Sequence, residues 1–261
     1  MSLGSQLTAK KDLIKFESDS ITDWVFDLDN TIYPANSSLF PRVAERMTSF
    51  IANHFNIAEA EAAALKTRLF RQYGTTMHGL MREHNMEPDE FLFYVHEIDL
   101  SDVSYDKDLD DGLGALSGRK HIYTNGTVRH AERILTAYGI RHHFDHIYDI
   151  VASEHTPKPD PRPYQHFIEQ AGIIADKAVM IEDMARNLKP AADLGMKTVW
   201  LVNDHDWAAT GAEEGTLRIM ENSFTRISRF CFASNKLSFA KSIFLSLKLR
   251  LASRKFVLMS A

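Results

Sequence analysis

Four short stretches of this chain carry residue types that could do chemistry together. The first is Asp27-Leu28-Asp29-Asn30-Thr31, which follows the apolar run Trp24-Val25-Phe26. Two carboxylates two residues apart at a strand exit would share a face, and like charges that close are favourable only with a cation between them or with one carboxyl protonated. The plain alternative is an acidic turn that caps the next segment. The second stretch is Thr124-Asn125-Gly126, followed by Thr127 at a helix start. It gathers a hydroxyl, an amide and free backbone N–H groups into a potential phosphate cradle, or else into an ordinary capping turn. In the third, Lys158 lies between Pro157 and Pro159, whose restricted backbones would aim the ammonium from a stiff loop; otherwise it is a surface lysine. The fourth is Glu182-Asp183 with Asn187 following, oxygen donors of the kind Mg²⁺ requires, against the simpler reading of an acidic helix N-terminus.

These residues need elements to place them. Short apolar runs at Trp24–Leu28, His121–Thr124, Ile147–Val151, Ala178–Ile181 and Thr198–Val202 read as buried strands. Helical spacing fits Thr127–Tyr138, Pro161–Ala171 and Ala185–Leu194, followed closely by Gly139, Gly172 and Gly195. Alternation of strand and helix predicts an α/β, doubly wound (Rossmann-like) parallel sheet, in which ligands bind beyond the carboxyl ends of the strands. All four stretches fall at such ends. About ninety residues separate the first two strands, and helices are expected there over Pro41–Phe55, Ala58–Tyr73, Thr76–Glu83 and Pro88–Ile98. The predicted organisation is therefore a core of residues 20–34 and 105–220, a helical cap of residues 35–104, and a basic tail of residues 221–261 without an assigned role.

In order and residue type, Asp27-Leu-Asp-Asn-Thr, Thr124-Asn-Gly, Lys158-Pro and Glu182-Asp183 resemble the motifs of the haloacid dehalogenase superfamily over roughly residues 23–205. The resemblance implies a phosphomonoester hydrolase. Asp27 would be the nucleophile that forms an aspartyl-phosphate, Asp29 the general acid and base, and Lys158 and Thr124 the stabilisers of the phosphoryl oxygens. It also implies a Mg²⁺ held by the Asp27 and Asp183 carboxylates and the Asp29 carbonyl, with Glu182 as a further ligand or a supporting partner. The second carboxylate, Asp29, argues for phosphate esters over haloacids, which have no leaving alkoxide to protonate. Asp27 to Pro34, together with Arg71 to Gly79, is similar to the pyrimidine 5′-nucleotidase branch. A small phosphorylated substrate, a nucleoside monophosphate, is then expected, with Asn125, Gly126, Tyr33, Tyr73, Thr75, Thr76 and His78 as binding candidates. For the cap residues the competing reading is packing. A sugar phosphate, phosphoglycolate or lysophospholipid substrate, a phosphotransferase, and a phosphate-sensing regulator without catalysis are the alternatives.

Composition narrows the partners. The chain has 261 residues, 30 Lys and Arg against 35 Asp and Glu, a formal net charge of −5, and 44% hydrophobic residues. No overall basic footprint for nucleic acid is present. The only cysteine, Cys231, excludes an internal disulfide and suits a reducing compartment, so a cytoplasmic protein is expected. Neither an export signal nor a membrane span is expected; an oligomer is compatible with the sequence. Charge is uneven: residues 221–261 hold eight Lys/Arg and one Glu, or +7, leaving 22 basic against 34 acidic residues, or −12, in residues 1–220. Alternating leucines from Leu245 to Leu251 fit a strand or an interfacial segment. His142, His143 and His146 are expected to stand apart from the four motifs, and Phe50, Phe55, Phe70, Phe91, Phe93, Trp200 and Trp207 to pack.

Overall fold

A computed structural model describes residues 20–203, 208–209, 211 and 217–220. Six strands, β1 (Asp23–Phe26), β2 (Arg119–Tyr123), β3 (His146–Tyr148), β4 (Ala178–Glu182), β5 (Lys197–Val202) and β6 (Leu217–Met220), form one sheet in the order β3-β2-β1-β4-β5-β6. Every neighbouring pair is parallel. The central strands, Asp-Trp-Val-Phe and Ala-Val-Met-Ile-Glu, are buried along their whole length, as strands covered on both faces must be. Successive side chains then serve different cores. Trp24 and Phe26 join one cluster, and Val25 joins another with Tyr123, Met180, Trp200, Tyr164 and Phe167.

The first cluster continues into four helices inserted between β1 and β2: α1 (Leu39–Phe55), α2 (Glu59–Tyr73), α3 (Thr76–His84) and α4 (Pro88–His96). Ile51, Leu69, Leu80 and Phe91 from these helices share its interior with Phe26, Leu28 and Ile122. Phe50 meets Phe91 edge to face at 5.2 Å. Phe93, expected to pack, is instead 59% exposed, with the Arg129 guanidinium over its ring. The remaining helices are α5 (Lys107–Ala115), α6 (Val128–Ala137), α7 (Pro161–Ala171) and α8 (Ala185–Asp193). Caps fix where three of them begin: Asp106 accepts from the Asp108 and Leu109 amides, Thr127 Oγ1 from the His130 amide, and Asp160 from the Arg162 amide with Pro161 at the first position.

Helix α5 and strand β6 were not expected from sequence. Strand β1 stops at Phe26, so Asp27 and Asp29 lie in the turn beyond it and do not present a common strand face. Trp207 and the leucine alternation of the basic tail lie outside the described residues.

Candidate active site

Strand order reverses at β1: β2 lies on one side and β4 on the other, which makes a crevice beyond their carboxyl ends. Register delivers residues to it. Phe26 pairs with Ile122 and with Ile181, so Asp27 emerges level with Tyr123 and Glu182, and its amide donates to the Ile181 carbonyl at 3.0 Å. The loop after β3 supplies Lys158. Its Nζ donates to Asp27 Oδ1 at 2.6 Å, to Glu182 Oε1 at 2.9 Å and to the Tyr123 carbonyl at 2.9 Å, which uses all three ammonium hydrogens in a buried setting. Asn125 Oδ1 accepts from the Lys158 amide at 2.9 Å and anchors that loop. Thr124 Oγ1 accepts from the Gly126 amide at 2.9 Å, leaving its own hydrogen for an anion. The chain approaches closely at Gly126, where an added Cβ would come within 3.3 Å of His130 and of Thr124 Oγ1.

Carboxylate oxygens of Asp27, Glu182 and Asp183, all buried, lie within 4.8 Å of one another. Glu182 is fully engaged, since Oε1 takes Lys158 and Asn187 Nδ2 (2.5 Å) while Oε2 takes the Met184 amide (2.7 Å). Trp200 Nε1 holds the Asp183 carbonyl at 3.0 Å. Burial, reinforced by Glu182 and Asp29 against the pull of Lys158, pushes the Asp27 carboxyl up to about 7. Burial and the Glu182 charge push Asp183 well above the usual carboxylate range. For Glu182, burial is outweighed by Lys158 and by the hydrogen bonds it accepts, and its carboxyl is held low. Three buried carboxylates thus face one ammonium, and a hard divalent cation is the species that such an oxygen cluster suits.

Asp29 has a different environment. Its Oδ1 accepts from the Tyr33 hydroxyl in a short hydrogen bond and lies 3.0 Å from His130 Nε2. Burial would raise its carboxyl, but the His130 and Tyr33 contacts prevail and hold it at about 2. His96, from α4, stacks on His130 with ring centres 4.4 Å apart.

Between this floor and the inserted helices is a cavity of about 300 Å³. Asp27, Asp29, Thr124, Asn125, Gly126, Lys158, Glu182 and Asp183 line its polar end, and Phe40, Val43, Met47, Phe70, Met77, Phe91 and Val95 its apolar walls, with Lys66, Thr75, Thr76 and His96 also present. Tyr33, Tyr73 and His78, predicted to face a substrate, do not line it. The Tyr33 hydroxyl is taken by Asp29, Tyr73 accepts from Gln72 Nε2 at 3.0 Å, and His78 is placed beside the Tyr73 ring. Sequence reasoning did not single out His96, His130 or Lys66. Among the other histidines, His142 and His143 converge on Asp110 Oδ1 at 3.3 and 2.6 Å, whereas His146 stacks on His121.

A parallel sheet with a lysine-bearing carboxylate cluster at its switch point, roofed by helices inserted after the first strand, defines a doubly wound α/β protein with an acid-centred pocket. The chain belongs to the haloacid dehalogenase-like hydrolases, whose family model matches residues 25–195. It is 27% identical over 226 residues to Phosphate metabolism protein 8 of Saccharomyces cerevisiae, covering 78% of this chain and 70% of that protein. It is also 27% identical over 202 residues to the glyceraldehyde 3-phosphate phosphatase of Methanocaldococcus jannaschii, covering 67% of this chain and 82% of that one. In fold it is similar to the HAD hydrolase YfnB of Bacillus subtilis, solved with magnesium bound, with a TM-score of 0.57, 16% identity, and coverage of 81% of this chain and 99% of that one. A HAD phosphatase of Thermococcus onnurineus gives a TM-score of 0.55 at 17% identity, covering 81% and 98%. No helix among the described residues is long and apolar enough to cross a membrane.

Proposed function

We propose that the protein is a Mg²⁺-dependent phosphomonoester hydrolase, with a cap of residues 35–104, that releases phosphate from nucleoside monophosphates, pyrimidine nucleotides foremost. The observation that carries this reading is the buried contact of Lys158 with Asp27 at the polar end of a cavity whose other walls are apolar. Substrate phosphate sits against Lys158, the Thr124 hydroxyl and Asn125. Asp27 Oδ1 is tied to Lys158, which leaves Oδ2 to attack phosphorus; the P–O bond to the leaving group breaks as the aspartyl-phosphate forms. Asp29 gives its proton to the departing oxygen. Although Asp29 is held low, an arriving phosphate puts negative charge beside it and lifts it towards the protonated form. In the second step Asp29 takes a proton from the attacking water, the water oxygen bonds to phosphorus, and Asp27 is freed with inorganic phosphate. A Mg²⁺ bound by the carboxylates of Asp27 and Asp183 and the carbonyl of Asp29 would supply positive charge for the phosphoryl oxygens. Glu182, with both oxygens engaged, serves in this reading to hold Lys158.

The apolar walls favour a leaving group with a broad apolar face, such as a nucleobase, over a compact polar one such as glyceraldehyde or glycolate. Phosphate release from UMP, CMP, AMP, phosphoglycolate, a sugar phosphate and a lysophosphatidate, each with Mg²⁺, tests the assignment. UMP and CMP are expected to turn over fastest. Faster release from the lysophosphatidate would redirect the cavity to an acyl chain, and no release from any ester would leave the phosphate-sensing reading.

A further inference from the structure

Among the described residues, Asp29 is held through one oxygen. Tyr33 Oη and His130 Nε2 both meet Oδ1, the second at 3.0 Å. Neither residue lines the cavity, whereas Asp29 does. The donors are themselves fixed. Tyr33 and His130 are each 1% exposed. His130 Nδ1 has no hydrogen-bond partner among the described residues, and its Nε2 is the ring nitrogen that meets Asp29. The amide of His130 is capped by Thr127 Oγ1, and its ring is backed by His96 at 4.4 Å. His96 comes from the inserted α4, and its Nδ1 lies 3.3 Å from the same Thr127 hydroxyl. Arg133, one turn along α6 from His130, donates to the His96 and Ile98 carbonyls at 2.6 and 2.7 Å and ties the end of α4 to α6.

We infer that Tyr33 and His130 are positioning residues that pin Asp29 by Oδ1 and so present Oδ2 alone to the leaving oxygen and to the attacking water, with His96 bracing the His130 ring from the inserted helices. This rests on the phosphomonoesterase reading above and deepens it. A carboxyl free to rotate would present either oxygen in any of several rotamers, and proton transfer needs the donor within hydrogen-bond reach of the oxygen it serves.

The test uses two esters that differ in their need for a proton. The departing oxygen of p-nitrophenyl phosphate is stable as an anion; that of propyl phosphate is not. Because kcat/KM reports steps up to formation of the aspartyl-phosphate, it isolates the acid role of Asp29. Tyr33→Phe and His130→Ala are expected to lose at least about 10-fold more kcat/KM on propyl phosphate than on p-nitrophenyl phosphate, within the contribution of a general acid. His130→Gln, which can place an N–H near the Nε2 position, should recover most of that loss. Equal losses on both esters, in variants that melt near the wild-type temperature, would show a merely structural role and overturn the inference. Should His130→Ala fail to fold, Tyr33→Phe, which removes one oxygen, decides alone. Absence of release from either ester by the wild-type protein with Mg²⁺ would strike the phosphomonoesterase reading itself.

Discussion

Lys158 Nζ lies 2.6 Å from Asp27 Oδ1 at a distance of 131 residues in sequence, and both groups are buried. The pair makes the nucleophile's charge conditional on a neighbour. In Lys158→Met, Asp27 and Glu182 become adjacent buried carboxylates without a cation, and they must take up protons or destabilise the fold. Phosphate release is expected to fall at least about 100-fold. Because carboxyls raised in the folded state favour it below their folded pKa and weaken it above, the melting temperature should drop little at pH 5 and clearly at pH 8, by the equivalent of about 3 kcal/mol. A loss that does not grow with pH would count against the arrangement.

The Asp27 carboxyl, moved by burial from 3.8 to about 7, gives a second expectation. The folded protein without a divalent cation holds a proton there between about pH 4 and pH 7 that the unfolded chain has released. Its contribution to stability is therefore present at low pH and lost as pH rises through that window. A Mg²⁺ that binds Asp27 and Asp183 must displace such protons. Affinity for Mg²⁺ should rise with pH from 5.5 through about 7, as Asp27 gives up its proton. Calorimetry in two buffers of different ionisation enthalpy measures the proton released, and an affinity independent of pH across this range would remove Asp27 from the ligand set.

How far the sequence reached follows from the range of each interaction. The strand exits were legible because each is a local pattern, an apolar run that ends in polar residues, and Pro161 and Gly172 mark the two ends of α7 directly. Helix α5 was not, since Gly112 and Gly114 and its three aspartates dilute its apolar stripe, although Asp106 caps it by accepting from the Asp108 and Leu109 amides. The roles of Tyr33 and His130 depend on partners that no pattern links. A tyrosine four residues after an aspartate is uninformative until the turn beyond β1 folds it back, and His130 meets Asp29 across 101 residues. Tyr73 and His78 were drawn to the substrate by their chemistry; what decides is which side of α2 and α3 faces the cavity, and Met77 faces it instead.

Gly118 separates fold from chemistry. It immediately precedes β2 with φ +93°, and an added Cβ would lie 2.5 Å from the Thr22 carbonyl oxygen, which already accepts from the Arg119 amide at 2.9 Å. Backbone cannot yield there as a flexible side chain would. Gly118→Ala is expected to cost about 2–4 kcal/mol, or roughly 5–15 °C in melting temperature. Gly172, at φ +60° with no atom within 4 Å of the added Cβ, should cost only about 1 kcal/mol on the same change. Because Gly118 lies at the end of the sheet opposite Asp27, the folded fraction of Gly118→Ala should keep its kcat. Thermal melts and active-site titration of the two variants check this, and equal melting temperatures would contradict the close approach.

The cavity wall offers a test of where substrate is read. Met47 is half-buried, lines the apolar side and makes no contact with the Asp27 cluster in the hydrogen-bond network. Met47→Gln keeps the length of the side chain but sets an amide where an apolar leaving group would rest, and that amide must be desolvated in the ground state and the transition state alike. Interactions of this uniform kind alter KM and leave kcat nearly untouched. KM for the preferred nucleotide should rise about 5- to 10-fold, the scale of a changed apolar contact, with kcat within about 2-fold and KM for the much smaller phosphoglycolate unmoved. The comparison is internal to one variant, so a general loosening of the inserted helices would be exposed by parallel changes on both substrates. A fall in kcat with KM unchanged would instead place Met47 in the closure of the helices over Asp27, and the apolar wall would no longer be the surface that selects the leaving group.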